Sequence, residues 1–112
     1  MKIGPTKHGR AGDIEFGAYG NGETAIIVTR DGEREYVATV NLEGLGALEP
    51  GPGQIWVKTW SENVGVEEAL MDAGIATPTH QRFACGPYDA IAVLMDLTPA
   101  ALAECVRQRL GQ

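Results

Sequence analysis

Two tryptophans, separated by Val57, Lys58 and Thr59, begin the part of the chain where side chains useful for chemistry lie closest together in the sequence. The segment reads IWVKTWSENVGVEEALMDAGI, residues 55–75, and beyond Trp60 its charged residues are all acids. These acids are Glu62, Glu67, Glu68 and Asp72. Carboxylates beside an exposed indole suit contact with a basic protein surface, because charge attracts the partner and the ring anchors it. The alternative interpretation is a solvated surface helix, with one or both indoles packed in the core.

The sequence contains no motif for catalysis or metal binding. His8 and His80 have no carboxylate or cysteine at a ligand-like spacing, and Cys85 and Cys105 lie 20 residues apart, which fits free thiols. The glycine-rich segments GAYGNG and GLGALE lack the Lys-Ser/Thr ending of a phosphate-binding loop. We therefore expect a protein that is not an enzyme and that holds no metal ion and no cofactor.

The charge of the chain favours a basic partner. The formal net charge is −6 and the sequence pI is near 4.8. Residues 36–73 carry six acids against Lys58 alone, and a second acidic cluster contains Asp31, Glu33 and Glu35. An acidic protein is repelled by the phosphate backbone, so direct binding to nucleic acid is not expected.

Strand-like patterns in the first half of the chain predict an antiparallel meander. Hydrophobic alternation and β-branched residues predict three strands, which cover residues 13–19, 24–30 and 34–42. The dipeptides Asn21-Gly22 and Asp31-Gly32 are typical of tight hairpin turns, in which both residues adopt positive φ. A loop over residues 43–53 follows, rich in glycine and proline.

The second half predicts a strand, a helix, two more strands and a final helix. The strands cover 54–60, 80–85 and 89–97, and the helices 62–73 and 99–110. Ser61 or Asn63 can cap the first helix and Gly74 suits its C-terminus, while Thr98-Pro99 suits the start of the second. The expected fold is α+β: an antiparallel β-sheet of about six strands, beginning with the meander, with two helices packed on one face.

The expected organisation is a single domain over residues 1–112, with residues 1–12 as a flexible N-terminal arm. The longest apolar run, AIAVLM at 90–95, is far too short to span a membrane, and no apolar block follows the first charged residues. We therefore expect no membrane association and a location in the cytoplasm of a bacterial host cell.

Part of the chain resembles a family of small proteins of unknown function carried by phages, plasmids and integrated elements. The resemblance covers residues 24–97 and begins with VATVNL at 37–42, followed by an aromatic-Val-Lys and then SENVGVEEALMDAGI. Its most specific residues are Ser61, Glu62, Asn63, Gly65, Leu70, Gly74 and Ile75.

The resemblance implies a context and no catalytic residues. Small proteins of mobile elements often inhibit host defence, and some of similar size and acidity are anti-CRISPR proteins directed at type I effector complexes. The resemblance thus implies an inhibitor of a Cascade-type complex, in particular of type I-C, that blocks DNA recognition. The expected partner-binding residues are Trp60, Glu62, Glu67, Glu68, Asp72, Asp31, Glu33 and Glu35. The alternatives are a phage or plasmid accessory binding module unrelated to defence and an uncharacterised small enzyme.

Overall fold

A computed structural model describes residues 1–88 and 90–111 of the protein, and it has an α+β fold. The strands are β1 (Lys2–Ile3), β2 (Gly12–Ala18), β3 (Thr24–Arg30), β4 (Glu33–Val37), β5 (Gln54–Lys58), β6 (Ala76–Ala84) and β7 (Ile91–Leu97). The helices are α1 (Val66–Asp72) and α2 (Pro99–Leu110), and a 3-10 turn covers Ser61–Asn63. No helix in the described part of the chain is long and apolar enough to cross a membrane.

The predicted meander is confirmed. Strands β1, β2, β3 and β4 form one antiparallel sheet in that order. Asp31 and Gly32 both have positive φ, 54° and 81°, as a two-residue turn between β3 and β4 requires. The turn between β2 and β3 differs from the prediction, because Gly22 has φ 88° but Asn21 is not in the positive region. Tyr19 instead exchanges backbone hydrogen bonds with Gly22 and Glu23, which makes a longer connection.

A second antiparallel sheet has the strand order β5-β7-β6. Its strand β6 begins at Ala76, earlier than the predicted residue 80, because an irregularity around His80, with φ 69°, lets the chain keep pairing with β7. The predicted strand 89–97 is observed from Ile91, and its first residue, Asp89, lies outside the described residues.

The segment 38–40 joins the two sheets. The predicted strand 34–42 ends at Val37, and beyond it Thr39 makes an isolated antiparallel bridge to Val57. The Lys58 amide donates to the Ala38 carbonyl at 2.9 Å, and the Val40 amide donates to the Trp56 carbonyl at 3.0 Å. The chain therefore leaves one sheet and enters the other through backbone hydrogen bonds on both sides of Thr39.

The main core lies between the two sheets and beneath both helices. Helix α1 buries Val66 and Leu70, and helix α2 buries Ala101 and Cys105. A smaller apolar cluster covers the other face of the second sheet and contains Leu42, Trp56, Ala92 and Leu94. The alternation of β5 explains this division, since Ile55 and Val57 face the main core while Trp56 faces the smaller cluster.

Helix α1 begins later than the sequence predicts. It starts at Val66, after Gly65 with φ 90°, and no side chain caps it. Asn63 is fully buried and donates through Nδ2 to the Val37 carbonyl at 2.7 Å, while its Oδ1 has no hydrogen-bond partner among the described residues, so it does not cap the helix. The predicted C-terminal glycine is confirmed: Gly74 has φ 71°, and Ile75 donates to the Leu70 carbonyl at 2.9 Å.

The first twelve residues, predicted to be a flexible arm, lie against the rest of the molecule. Ile3 is buried in the main core, and β1 pairs with the beginning of β2. Arg10 forms an ion pair with Glu35, with 2.7 Å between Nη2 and Oε1. A Cβ at Gly9 would lie 2.6 Å from the Tyr36 ring, so the arm passes very close to β4.

Candidate partner-binding surface

Helix α1 presents two exposed acids and one partly covered acid. Glu68 and Asp72 are exposed, whereas Glu67 is half-buried and lines a small recess with His80 and Arg82. We expected Glu67, Glu68 and Asp72 all to be exposed, and this is wrong for Glu67, because the irregular part of β6 lies beside it. None of these three acids forms an ion pair within residues 1–88 and 90–111.

The negative charge of Glu62 is paired with a lysine within the protein. Lys58 Nζ lies 2.6 Å from Glu62 Oε1, and this hydrogen bond is the main reason that the pKa of Glu62 falls to about 2. Lys58 also lies 5.6 Å from the centroid of the Trp60 ring, which is half-buried beside the smaller apolar cluster. Of the predicted partner-binding residues, Glu62 and Trp60 therefore lie close together, because Lys58 contacts both the carboxylate and the indole ring.

Trp56 is a core residue, as predicted for at least one of the two tryptophans. It is 3% exposed, and its ring centroid lies 6.3 Å from that of Phe83. Its indole N–H donates to the Leu48 carbonyl at 2.9 Å, so the polar edge of the buried ring is satisfied. This bond also fixes the loop after β4 against the second sheet.

The acids at 31–35 differ from one another in exposure and pairing. Asp31 and Glu33 are exposed at the β3–β4 turn, whereas Glu35 is half-buried and paired with Arg10. Asp31 and Glu33 are therefore the more accessible candidate contact points of this set.

A pocket of about 330 Å³, not predicted from the sequence, lies between the β2–β3 turn and the loop after β4. Its floor is apolar and includes Leu42 and Trp56, and three carboxylates line it, from Glu23, Glu43 and Glu49. The features of the sequence that could have indicated this pocket are Glu43 and Glu49, two acids inside the glycine- and proline-rich loop 43–53. The path of that loop over Trp56 depends on tertiary contacts that the sequence pattern does not reveal.

The described residues contain no group of three His, Cys, Asp or Glu side chains arranged to hold a metal ion. Cys85 is half-buried and Cys105 is buried, and both are free thiols.

No protein-family model, curated protein or solved structure matches the chain. The class of the protein, an acidic α+β protein, therefore rests on its own fold and charged surface. The resemblance to proteins of mobile elements stays a prediction.

Proposed function

We propose that the protein is a non-enzymatic inhibitor that binds a basic surface of a host nucleic-acid-handling defence complex, a Cascade-type effector, and blocks DNA recognition. The observation that carries this proposal is the charge of helix α1. Its exposed acids Glu68 and Asp72 lie four residues apart, and the helix contains no basic residue.

This arrangement costs the isolated protein stability. Like charges four residues apart destabilise a helix by about 0.2–0.5 kcal/mol. Asp72 is the last helical residue, where the helix dipole also disfavours a negative charge. A local arrangement that opposes folding and has no internal compensation is typical of a functional surface. A basic partner supplies that compensation.

The site of action follows from the chemistry of such complexes. A protein channel that admits DNA must present lysine and arginine to phosphates. A folded acidic domain is attracted to the same residues, and it can cover them without mimicking the spacing of phosphates. The resemblance supports the choice of a defence complex over other basic partners.

The test uses a purified type I-C effector complex and fluorescently labelled target DNA. We expect an equimolar amount of the protein to abolish DNA binding, and the variant E67Q/E68Q/D72N to associate at least tenfold more slowly with a weaker dependence on salt. The single change Glu68→Gln should slow association in the same direction, and Glu15→Gln, which removes one exposed carboxylate from β2, is its control and should leave the association rate near that of wild type. Unchanged DNA binding in the presence of excess wild-type protein would contradict the proposal.

A further inference from the structure

We propose that the pocket between the β2–β3 turn and the loop after β4 takes a basic side chain, preferably arginine, from the partner protein. This inference rests on the proposed function for the identity of the partner, but the chemistry of the pocket can be tested without it. The pocket volume of about 330 Å³ lies at the lower end of the range of about 300–1,000 Å³ typical of ligand pockets.

The floor of the pocket suits the aliphatic part of a long side chain. Leu42 and Trp56 are buried members of the smaller apolar cluster, and Ala47 is half-buried beside them. The indole N–H of Trp56 is already bonded to the Leu48 carbonyl, so the floor offers apolar surface. The methylene stem of arginine or lysine packs well on such a surface while its charged end remains near water.

The upper part of the pocket suits the charged end. Glu23, Glu43 and Glu49 line it, and none of its described lining residues is lysine, arginine or histidine. Glu23 belongs to the β2–β3 turn, whereas Glu43 and Glu49 belong to the loop after β4. A guanidinium group has five donors in one plane and can reach carboxylates on different sides, whereas an ammonium group is a compact point charge.

The two sides of the pocket are tied together before any ligand binds. Asn41 donates to the Asn21 side chain at 3.1 Å and accepts from the Glu43 amide at 3.0 Å. Asn21 in turn donates to Glu23 Oε2 at 2.5 Å. This network orients the turn and the loop around the pocket, so binding requires little additional ordering.

The pocket and helix α1 then have different roles in binding the partner. The exposed charges of α1 act over a distance and govern the association rate, whereas a side chain held in a pocket governs the dissociation rate. Neutralising either set of three acids changes the net charge by the same amount, so each triple variant is the control for the other.

The pocket itself is tested with two small probes, N-acetyl-arginine amide and its neutral analogue N-acetyl-citrulline amide. The readout is the indole N–H signal of Trp56 in ¹H–¹⁵N spectra, with the indole of Trp60 as internal reference. We expect the arginine probe alone to shift the Trp56 signal with saturation. The shift should persist in E67Q/E68Q/D72N and weaken at least tenfold in E23Q/E43Q/E49Q. Ala47→Phe, which fills the floor without changing the charge, should also abolish it.

Equal shifts with the two probes, or an unchanged response of E23Q/E43Q/E49Q, would overturn the inference. With the effector complex, we expect E23Q/E43Q/E49Q to dissociate at least tenfold faster at a nearly unchanged association rate. If the arginine probe binds but the complex is not inhibited, the proposed function fails and the pocket stands. If the complex is inhibited but the probe does not bind, the pocket assignment fails alone.

Discussion

Glu62 differs from Glu68 and Asp72 in ion pairing, although all three residues are exposed. Glu62 accepts a short hydrogen bond from Lys58, whereas Glu68 and Asp72 are exposed without an ion partner among the described residues. A partner that approaches Glu62 must compete with Lys58 for its charge. We therefore expect the exposed acids of α1 to contribute more to binding than Glu62.

The pairing of Glu62 makes a prediction about pH. Because the folded-state pKa of Glu62 is about 2, below its ordinary value near 4.5, the ionised group stabilises the fold above pH 4.5. This contribution declines as the pH falls and is lost below about pH 2. The pair is at the surface, so Glu62→Gln should lower the free energy of unfolding at pH 7 by less than about 1 kcal/mol.

Urea denaturation of wild type and Glu62→Gln at pH 7, 4 and 2 measures this contribution. Lys58→Met is the matched control, since it removes the other partner and should abolish the same pH-dependent difference. A difference between wild type and Glu62→Gln that stays constant from pH 7 to pH 2 would show that the pair does not govern the titration.

At the scale of elements, one glutamine connects helix α2 to the first sheet. Strand β1 is short, and beyond it the Phe16 amide donates to Gln108 Oε1 at 2.8 Å while Gln108 Nε2 donates to the Ile14 carbonyl at 3.1 Å. The side chain therefore continues the hydrogen bonding of β2 where the neighbouring strand ends. Without it, two backbone groups near the core would lose their protein partners.

Replacing Gln108 by alanine should lower the free energy of unfolding by about 1–3 kcal/mol, because one side chain satisfies two backbone groups. Arg109→Ala changes an exposed residue of the same helix turn and should have an effect below about 0.5 kcal/mol. Chemical denaturation of both variants checks the difference. Hydrogen exchange should also show faster exchange of the Phe16 amide in Gln108→Ala alone. Equal stabilities of the two variants would contradict the role of Gln108.

The elements that the sequence predicted well are those whose boundaries depend on local chemistry. Asp31-Gly32 makes its turn through the positive φ of two adjacent residues, and Thr98 caps α2 through a bond to the amide of Ala101. The start of α1 was missed because the buried Asn63 side chain donates to the distant Val37 carbonyl and no side chain caps the helix. A spacing rule within one segment cannot detect such a long-range bond.

The same limit applies to the candidate sites. The acids of α1 were found because helical periodicity places Glu68 and Asp72 opposite Val66 and Leu70. The pocket was not found, because its floor and its carboxylates come from segments that meet only in the folded chain.

For the whole molecule, the separation of the main core from the charged surface predicts that stability and binding respond to different substitutions. Leu70 is fully buried in the main core, whereas its neighbour Met71 is exposed on the same helix. Leu70→Ala should lower the free energy of unfolding by about 2–5 kcal/mol, through lost apolar burial and the cavity that remains. Met71→Ala is the control and should cost about 0.5 kcal/mol or less.

Neither substitution changes the charge of α1, so both variants should bind the effector complex at wild-type rates wherever they are folded. Thermal melts define that temperature range, and association and dissociation rates are then measured below it. E67Q/E68Q/D72N should show the reverse behaviour, with a melting temperature near that of wild type and slower association. If Leu70→Ala slowed association while still fully folded, the acidic face of α1 would depend on core packing for its geometry, and charge alone would not account for binding.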